Sequence, residues 1–488
     1  MGHPSDPSHD VTGSAVRGVF WVGGGQVIRQ VVGILTYIIL ARLLVPDDFG
    51  LLSMVMVFVG FSRIFADFGI GSAIVQSKEV TQIKLSSAFW TNLAVSIVIA
   101  LIVIAISPWI ADFYNKPELV YLVITISSTL VLAGMVTIPK AILYRSMNFG
   151  AAVKAEVIGS LLAAICVVFL AFMGFGVWSL VLQPIIGNLF VVIFTFYFSS
   201  WLPSFVYSWK SIKKLVHFSA NILGSDVVTY LTRNSDDLII GKTLGSAPLG
   251  QYTLAYQIML YPLQQVASII VKVLFPTLSK FLDDLERFRN IYLKAVVSIA
   301  LITFPMMFGL LAITTDFITV VFGEKWLPMK SVLEIFCLMG MFQSVGTTLG
   351  TIYMSTGQVK KVFYLGIFFA PLYIIAFLIG TKWGIVGVAW GFSIVVFTNT
   401  ITTMFVGFRI INLSVGRFFR VLSSPLLISL AMYLSILGLN KMLGSLDEMS
   451  RLIVDVSFGA LIYVVLSLMF NKTQIQDLYG RLTSVFAK

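Results

Sequence analysis

An all-α integral membrane fold of about fourteen transmembrane helices is predicted by three observations. The apolar excess is extreme, it is divided into runs of bilayer length, and positive charge alternates between the intervening segments. Of 488 residues, 58% are hydrophobic and 11% charged, and the mean hydropathy is +0.96. A soluble chain carries about 25% charged residues. Here the excess extends from end to end, which leaves the lipid bilayer as the solvent.

A helix needs about 20 apolar residues to cross the hydrocarbon core. Runs of that kind fall at approximately 19–43, 48–68, 84–107, 118–139, 153–174, 177–198 and 214–241. They continue at 247–276, 291–314, 331–356, 361–380, 384–408, 420–438 and 450–470. The first follows a polar tail ending at Arg17 and carries Gln26, Arg29 and Gln30. A cleaved signal has a shorter apolar stretch and a small-residue cleavage site, so this run is read as a retained span. The connections are short; the longest inner one, Thr277 to Asn290, has room for one small amphipathic helix.

Charge sets the orientation. Arg17, Lys84, Lys140, Arg145, Lys154, Lys210, Lys280, Arg289, Lys360 and Arg409 fall on one side. The other side has fewer, such as Arg42, Lys116, Lys242, Lys325 and Lys382. With the positive side inside, both termini are expected in the cytoplasm. The net charge of +11 is thereby assigned to topology; a nucleic-acid interface needs a soluble basic face. Cys166 and Cys337 lie far apart in apolar runs, and His3, His9 and His217 are dispersed. Neither set has metal-ligand spacing, so no metal or cofactor is expected. Trp109, Tyr114, Trp201 and Trp326, near span ends, are expected as interface anchors.

The chain also resembles itself. Ala41-Arg42-Leu43-Leu44 through Phe49-Gly50 aligns with Gly241-Lys242-Thr243-Leu244 through Leu249-Gly250 at an offset of 200 residues. Gly176-Val177 and Asn188 align with Gly387-Val388 and Asn399 at an offset of 211. Two six-helix lobes follow, at 19–200 and 201–410, with tails at 1–18 and 471–488 and two appended spans within 411–470. Six spans per repeat preserve orientation, so the lobes should be related by a pseudo-two-fold axis along the membrane normal, with a cavity at their interface.

Ionisable groups inside spans cost about 2.5–3.5 kcal/mol each on insertion scales and so usually face a wet interior. They are Arg29, Arg63, Asp67, Asp226, Arg233, Lys272 and Asp455, with Glu156 and Glu334 near span ends. The cations Arg29, Arg63, Arg233 and Lys272 come from spans 1, 2, 7 and 8, equivalent helices of the two repeats. Polar residues share their helical faces: Gln26 and Thr36 with Arg29, Thr229 and Tyr230 with Arg233, and Gln264 or Gln265 with Lys272. Asn221 and Ser225 extend the stripe in span 7. These predict a cationic cavity for an anion such as pyrophosphate, which guanidinium groups match bidentately. Each residue also has a plainer reading. Arg29 suits an internal ion pair, Arg233 a structural pair with Asp226, and Arg63 and Lys272 snorkelling to headgroups. Asp67 suits a partner for Arg63, and Asp455 a structural role. Asp226 is also a candidate coupling group, since burial raises a carboxyl pKa while Arg233 opposes the shift.

Several segments resemble the polysaccharide transporter family. They are Asp67-Phe68-Gly69-Ile70 followed by Gln76, Lys78 and Glu79, Ile239 to Gly245, Leu249 to Tyr256, and Val273 to Lys280. Phe322-Gly323-Glu324-Lys325-Trp326 is similar to the colanic acid exporter branch. The resemblance covers about residues 15–470 and places the chain in the multidrug/oligosaccharidyl-lipid/polysaccharide flippase superfamily. It implies two six-helix lobes with two extra C-terminal helices, and alternating access in the bacterial inner membrane. The implied substrate is an undecaprenyl-pyrophosphate-linked oligosaccharide, with Arg29, Arg63 and Arg233 as pyrophosphate ligands. Membrane lipids, a polysaccharide polymerase and glycosyltransferases are the implied partners. Two other classes compete. A multidrug antiporter would favour acidic and aromatic cavity groups. A membrane glycan polymerase or ligase would need a sizeable outer loop and a nucleophile with its base, and neither is found.

Overall fold

The computed structural model describes residues 7–66, 70–77, 79–210, 212, 223–442 and 446–471. Fourteen long helices run through these residues and are numbered in chain order. They are α1 (Pro7–Leu43), α2 (Pro46–Ala66), α3 (Gln82–Tyr114), α4 (Leu119–Arg145), α5 (Phe149–Phe172), α6 (Val177–Ser199) and α7 (Leu223–Thr243). The remainder are α8 (Ser246–Ser279), α9 (Leu285–Ala312), α10 (Lys330–Gly346), α11 (Val359–Gly380), α12 (Gly384–Ile410), α13 (Val415–Met442) and α14 (Glu448–Phe470). Short helices at Ile70–Gln76 and Leu349–Ser355 prolong α2 and α10. Only the backbone is described before Trp21 in α1 and before Tyr230 in α7.

Twelve stretches among the described residues are long and apolar enough to cross a bilayer, and one of them, Val359–Ile410, holds both α11 and α12. The remaining long helix, α7, is too polar for that criterion: Arg233, Asn234, Asp236 and Asp237 crowd its middle. Helices are the economical answer to lipid, because each satisfies its own backbone donors and acceptors. Side chains that a soluble protein would bury face outward here, as with Ile165, Phe169 and Phe172 on α5, all above 60% exposed.

Ends are set by local chemistry. The Thr81 hydroxyl accepts from the Lys84 amide at the start of α3, and Asn148 Oδ1 accepts from Ala151 at the start of α5. Asp447 accepts from Ser450 at the start of α14; these hydrogen bonds hold its carboxyl below the usual carboxylate range. The room for a small amphipathic helix between α8 and α9 is taken up by those two helices themselves. Those helices extend to Ser279 and from Leu285, leaving a short turn between them. Trp326 and Tyr114 depart from the expected interface position: Trp326 is fully buried and Tyr114 is 5% exposed, whereas Trp109 is 73% exposed. Position near a span end does not tell an outward ring from an inward one.

The chain forms two compact units, Met1–Gly250 and Gln251–Lys488. In the first, α3 packs on α4, α4 and α5 on α6, α1 on α5, and α2 on α7. The second repeats part of this scheme, with α9 on α10, and α10 and α11 on α12; α13 packs on α9 and α14 on α13.

The offset of 200 residues is visible in the backbone. Helix α1 ends at Leu43 and α7 at Thr243, while α2 begins at Pro46 and α8 at Ser246. The two elbows meet reciprocally. A Cβ at Gly50 would overlap the Ser246 carbonyl, and a Cβ at Gly250 would overlap the Pro46 carbonyl. Residue i of one copy faces j of the other and j faces i, which is the signature of a two-fold contact. The Ser246 hydroxyl donates to the Asp47 carboxylate across it. The offset of 211 residues does not carry into the backbone: Gly176 immediately precedes α6, while Gly387 lies inside α12, three residues beyond its start at Gly384. Nearby, the Tyr230 hydroxyl of α7 donates to the Val57 carbonyl of α2 at 2.9 Å and occupies the notch left by Gly60.

In the second unit, Asp316 receives Arg451 Nε at 2.6 Å and a second guanidinium nitrogen at 2.5 Å. This fork joins the α9–α10 connection to α14. Asp455, one turn further along α14, is fully buried, in keeping with a structural role. Arg451→Met should lower stability by about 2–3 kcal/mol, because Asp316 would stay buried without its counter-charge. A thermal unfolding scan of detergent-purified protein measures this, and an unchanged midpoint would refute it.

Candidate functional site

The main cavity of the first unit encloses about 1020 Å³ and is lined by α1, α2 with its short continuation, α4, α5 and α6. Small residues make the space: Gly33, Gly71, Gly134 and Gly187 all contribute to its wall. Pro139 in α4 and Pro184 in α6 interrupt their helices beside it, each removing one backbone donor and freeing a carbonyl four residues earlier. Such irregularity in a span is tolerated where it is buried in protein or borders a wet hollow.

Its charged lining consists, among the described residues, of Arg29, Arg63, Lys140 and Glu156. Glu156 of α5 is bound twice. One carboxylate oxygen lies 2.6 Å from an Arg29 guanidinium nitrogen and the other 2.5 Å from Lys140 Nζ. Its side chain is 13% exposed, against 35% for Arg29 and 34% for Lys140. Arg29 Nε is buried with no hydrogen-bond partner among the described residues. Lys140 Nζ also lies 5.6 Å from the Tyr144 ring centre. Arg63 makes no ion pair with a described residue and stands on the cavity wall. Among the described residues three cations stand against one carboxylate on this wall, and a guanidinium has five donors to satisfy.

The structure therefore brings together Arg29, Arg63 and Thr36 from the residues singled out by sequence. Thr36 spends its hydroxyl proton on the Val32 carbonyl at 2.7 Å. Gln26 is exposed on α1, and Arg233 is exposed on α7, outside this lining. Lys272, Gln264 and Gln265 lie on α8 in the second unit, with Lys272 and Gln264 exposed. Asn221 and Asp67 lie outside the described residues. Ser225, Asp226 and Thr229 fall where only the backbone of α7 is described. Tyr230, placed by periodicity on the polar face, is instead a tie between α7 and α2.

Lys140 and Glu156 are the residues that sequence reasoning did not assign to the site. Charge alternation along the sequence makes Lys140 one of the topological charges, and Glu156 stands near a span end. Helix α4 runs on to Arg145, which draws Lys140 more than a turn inside. The available signal was Pro139 beside it, a helix interruption next to a charge.

With this geometry in view, the likeness to known proteins is informative. A family model described as polysaccharide biosynthesis protein matches residues 39–331. The chain belongs to this family. It is a polysaccharide transporter of the Wzx type. The lipopolysaccharide biosynthesis protein WzxC of Escherichia coli (strain K12) is 30% identical over 398 residues, 80% of each chain. The teichuronic acid biosynthesis protein TuaB of Bacillus subtilis (strain 168) is 26% identical over 464 residues, 93% of this chain and 95% of that one. Among solved structures, the lipid II flippase MurJ in an inward closed conformation superposes with a TM-score of 0.76 at 17% identity. That likeness covers 94% of this chain and all of MurJ, and it speaks for the fold.

Proposed function

We propose that this transporter flips an undecaprenyl-pyrophosphate-linked oligosaccharide repeat unit across the bacterial inner membrane by alternating access, for surface polysaccharide assembly. The observation that carries the reading is a hollow within an apolar helix bundle where, among the described residues, Arg29, Arg63 and Lys140 outnumber Glu156. A pyrophosphate presents several anionic oxygens at once. Arginine and lysine remain charged at neutral pH and meet those oxygens with short, strong hydrogen bonds. The prenyl tail would stay in lipid while the glycan crosses with the headgroup.

The cavity is lined by Gln76, Lys140 and Tyr144, and Lys84 and Arg145 both donate to Ser77, next to Gln76. By the positive-inside rule that side is cytoplasmic, and both termini then face the cytoplasm. The substrate would be loaded there from glycosyltransferases and delivered to a polymerase outside. No bond is made or broken in this cycle, so the protein is a transporter and not an enzyme. The excess of cations opposes the organic cations that a multidrug antiporter would carry. Coupling falls to Asp226 or to the membrane potential acting on bound charge.

The test is reconstitution into liposomes with undecaprenyl-pyrophosphate glycans placed in one leaflet, scoring their appearance in the other. Transport dependent on the protein is expected. Equal leaflet exchange in empty liposomes and proteoliposomes, with every glycan tried, would overturn the reading.

A further inference from the structure

We infer that Glu156 is a resident counter-anion that competes with the substrate headgroup for Arg29 and Lys140, and so sets how readily that headgroup is released. The inference rests on the flippase reading above and assigns a role within the same cavity.

The geometry is that of a placeholder. Glu156 projects from α5 between a cation of α1 and a cation of α4, and each of its oxygens is committed to one of them. Glu156 is the only carboxylate among the described lining residues. Removing it would leave Arg29 and Lys140 facing each other across the hollow without an anion between them. A phosphate entering the hollow supplies that anion, but it must first take a cation away from Glu156 and then sit near a like charge. Both effects weaken binding.

A carrier benefits from this weakness. A site must be favourable enough to enter and weak enough to leave, and three unmasked cations would hold a pyrophosphate too firmly. Arg63 stands on the same wall and offers the headgroup a third cation beside the two that Glu156 holds. As the headgroup moves inward, Arg29 and Lys140 pass from carboxylate to phosphate; on release they return to Glu156. Specificity of this kind comes from a built-in repulsive element as well as an attractive one.

The probe is undecaprenyl pyrophosphate binding to the full-length protein in nanodiscs, with inorganic pyrophosphate as a second arm. Glu156→Gln should bind the lipid at least tenfold tighter and turn over more slowly in liposomes. Inorganic pyrophosphate should gain in parallel if the headgroup alone is recognised. Equal or weaker lipid binding by E156Q would overturn the inference. Arg29→Ala separates the two levels. If R29A loses lipid binding while E156Q is unchanged, the site stands and the placeholder falls. If R29A binds as the parent does, the cavity reading itself falls. Should E156Q fail to fold, Lys140→Gln is compared with K140Q/E156Q. The double variant should recover the several-fold loss of the single one, because Arg29 is unmasked. No recovery would likewise overturn the inference.

Discussion

Replacing Arg29 or Lys140 by alanine is expected to lower glycan-lipid transport by roughly 10- to 100-fold while leaving the protein folded. A hydrogen bond to a charged group contributes about 1.5–3 kcal/mol, and 1.4 kcal/mol is a factor of about ten. Each truncation removes one such set of contacts from the substrate. Folding should survive, because Glu156 is held twice and either variant leaves it one cation. The measurement is the initial rate of leaflet transfer in proteoliposomes, normalised to protein recovered in the membrane. Rates equal to the parent's in both variants would remove these residues from the substrate path. Arg63→Ala should act in the same direction without disturbing the Glu156 pairs.

Gly50→Ala is expected to be among the most damaging single-methyl changes in the chain. The added Cβ would occupy the space of the Ser246 carbonyl, which is backbone and cannot rotate away. Gly250→Ala meets the Pro46 carbonyl in the same way. Overpacking of this kind costs typically about 1–3 kcal/mol and sometimes more, so a fall of roughly 2–6 °C in unfolding temperature is expected for a unit of this size. Gly24→Ala is the control: nothing lies within 4 Å of its Cβ, and alanine favours the helix by up to about 1 kcal/mol. The double variant G50A/G250A should cost less than the sum, since both substitutions spread one shared contact. Equal midpoints for G50A and G24A would show that the elbows do not pack as described.

Most of the fold is legible in the sequence because lipid imposes a harsh code. Span length, polar breaks and alternating positive charge place all fourteen long helices. Even α7 could be assigned despite Arg233 and Asp237, since an odd number of spans would scramble the charge pattern. The elbow repeat was legible for a related reason: Gly50 and Gly250 stand where backbone must approach backbone, and no other residue fits. The site was legible only in part. Arg29 and Arg63 announce themselves as charges in mid-span, and they do line one cavity. Lys140 and Glu156 look like span-end residues, because depth in the membrane depends on where α4 and α5 start and how far they run. Tyr230 shows the converse limit. Its periodicity matched the polar face, yet its hydroxyl is spent on the Val57 carbonyl. Helical spacing gives direction around a helix; it does not say which neighbour waits there.

The first compact unit is closed by α7, a helix that belongs by sequence to the second repeat. During synthesis, six spans can leave the ribosome and still lack the partner that fills the Gly60 notch. A segment carrying Arg233, Asp236 and Asp237 has little reason to enter oil by itself, so its insertion must draw on neighbours already in place. Completion of the front half is thereby tied to the arrival of α7, whose Tyr230 fills that notch.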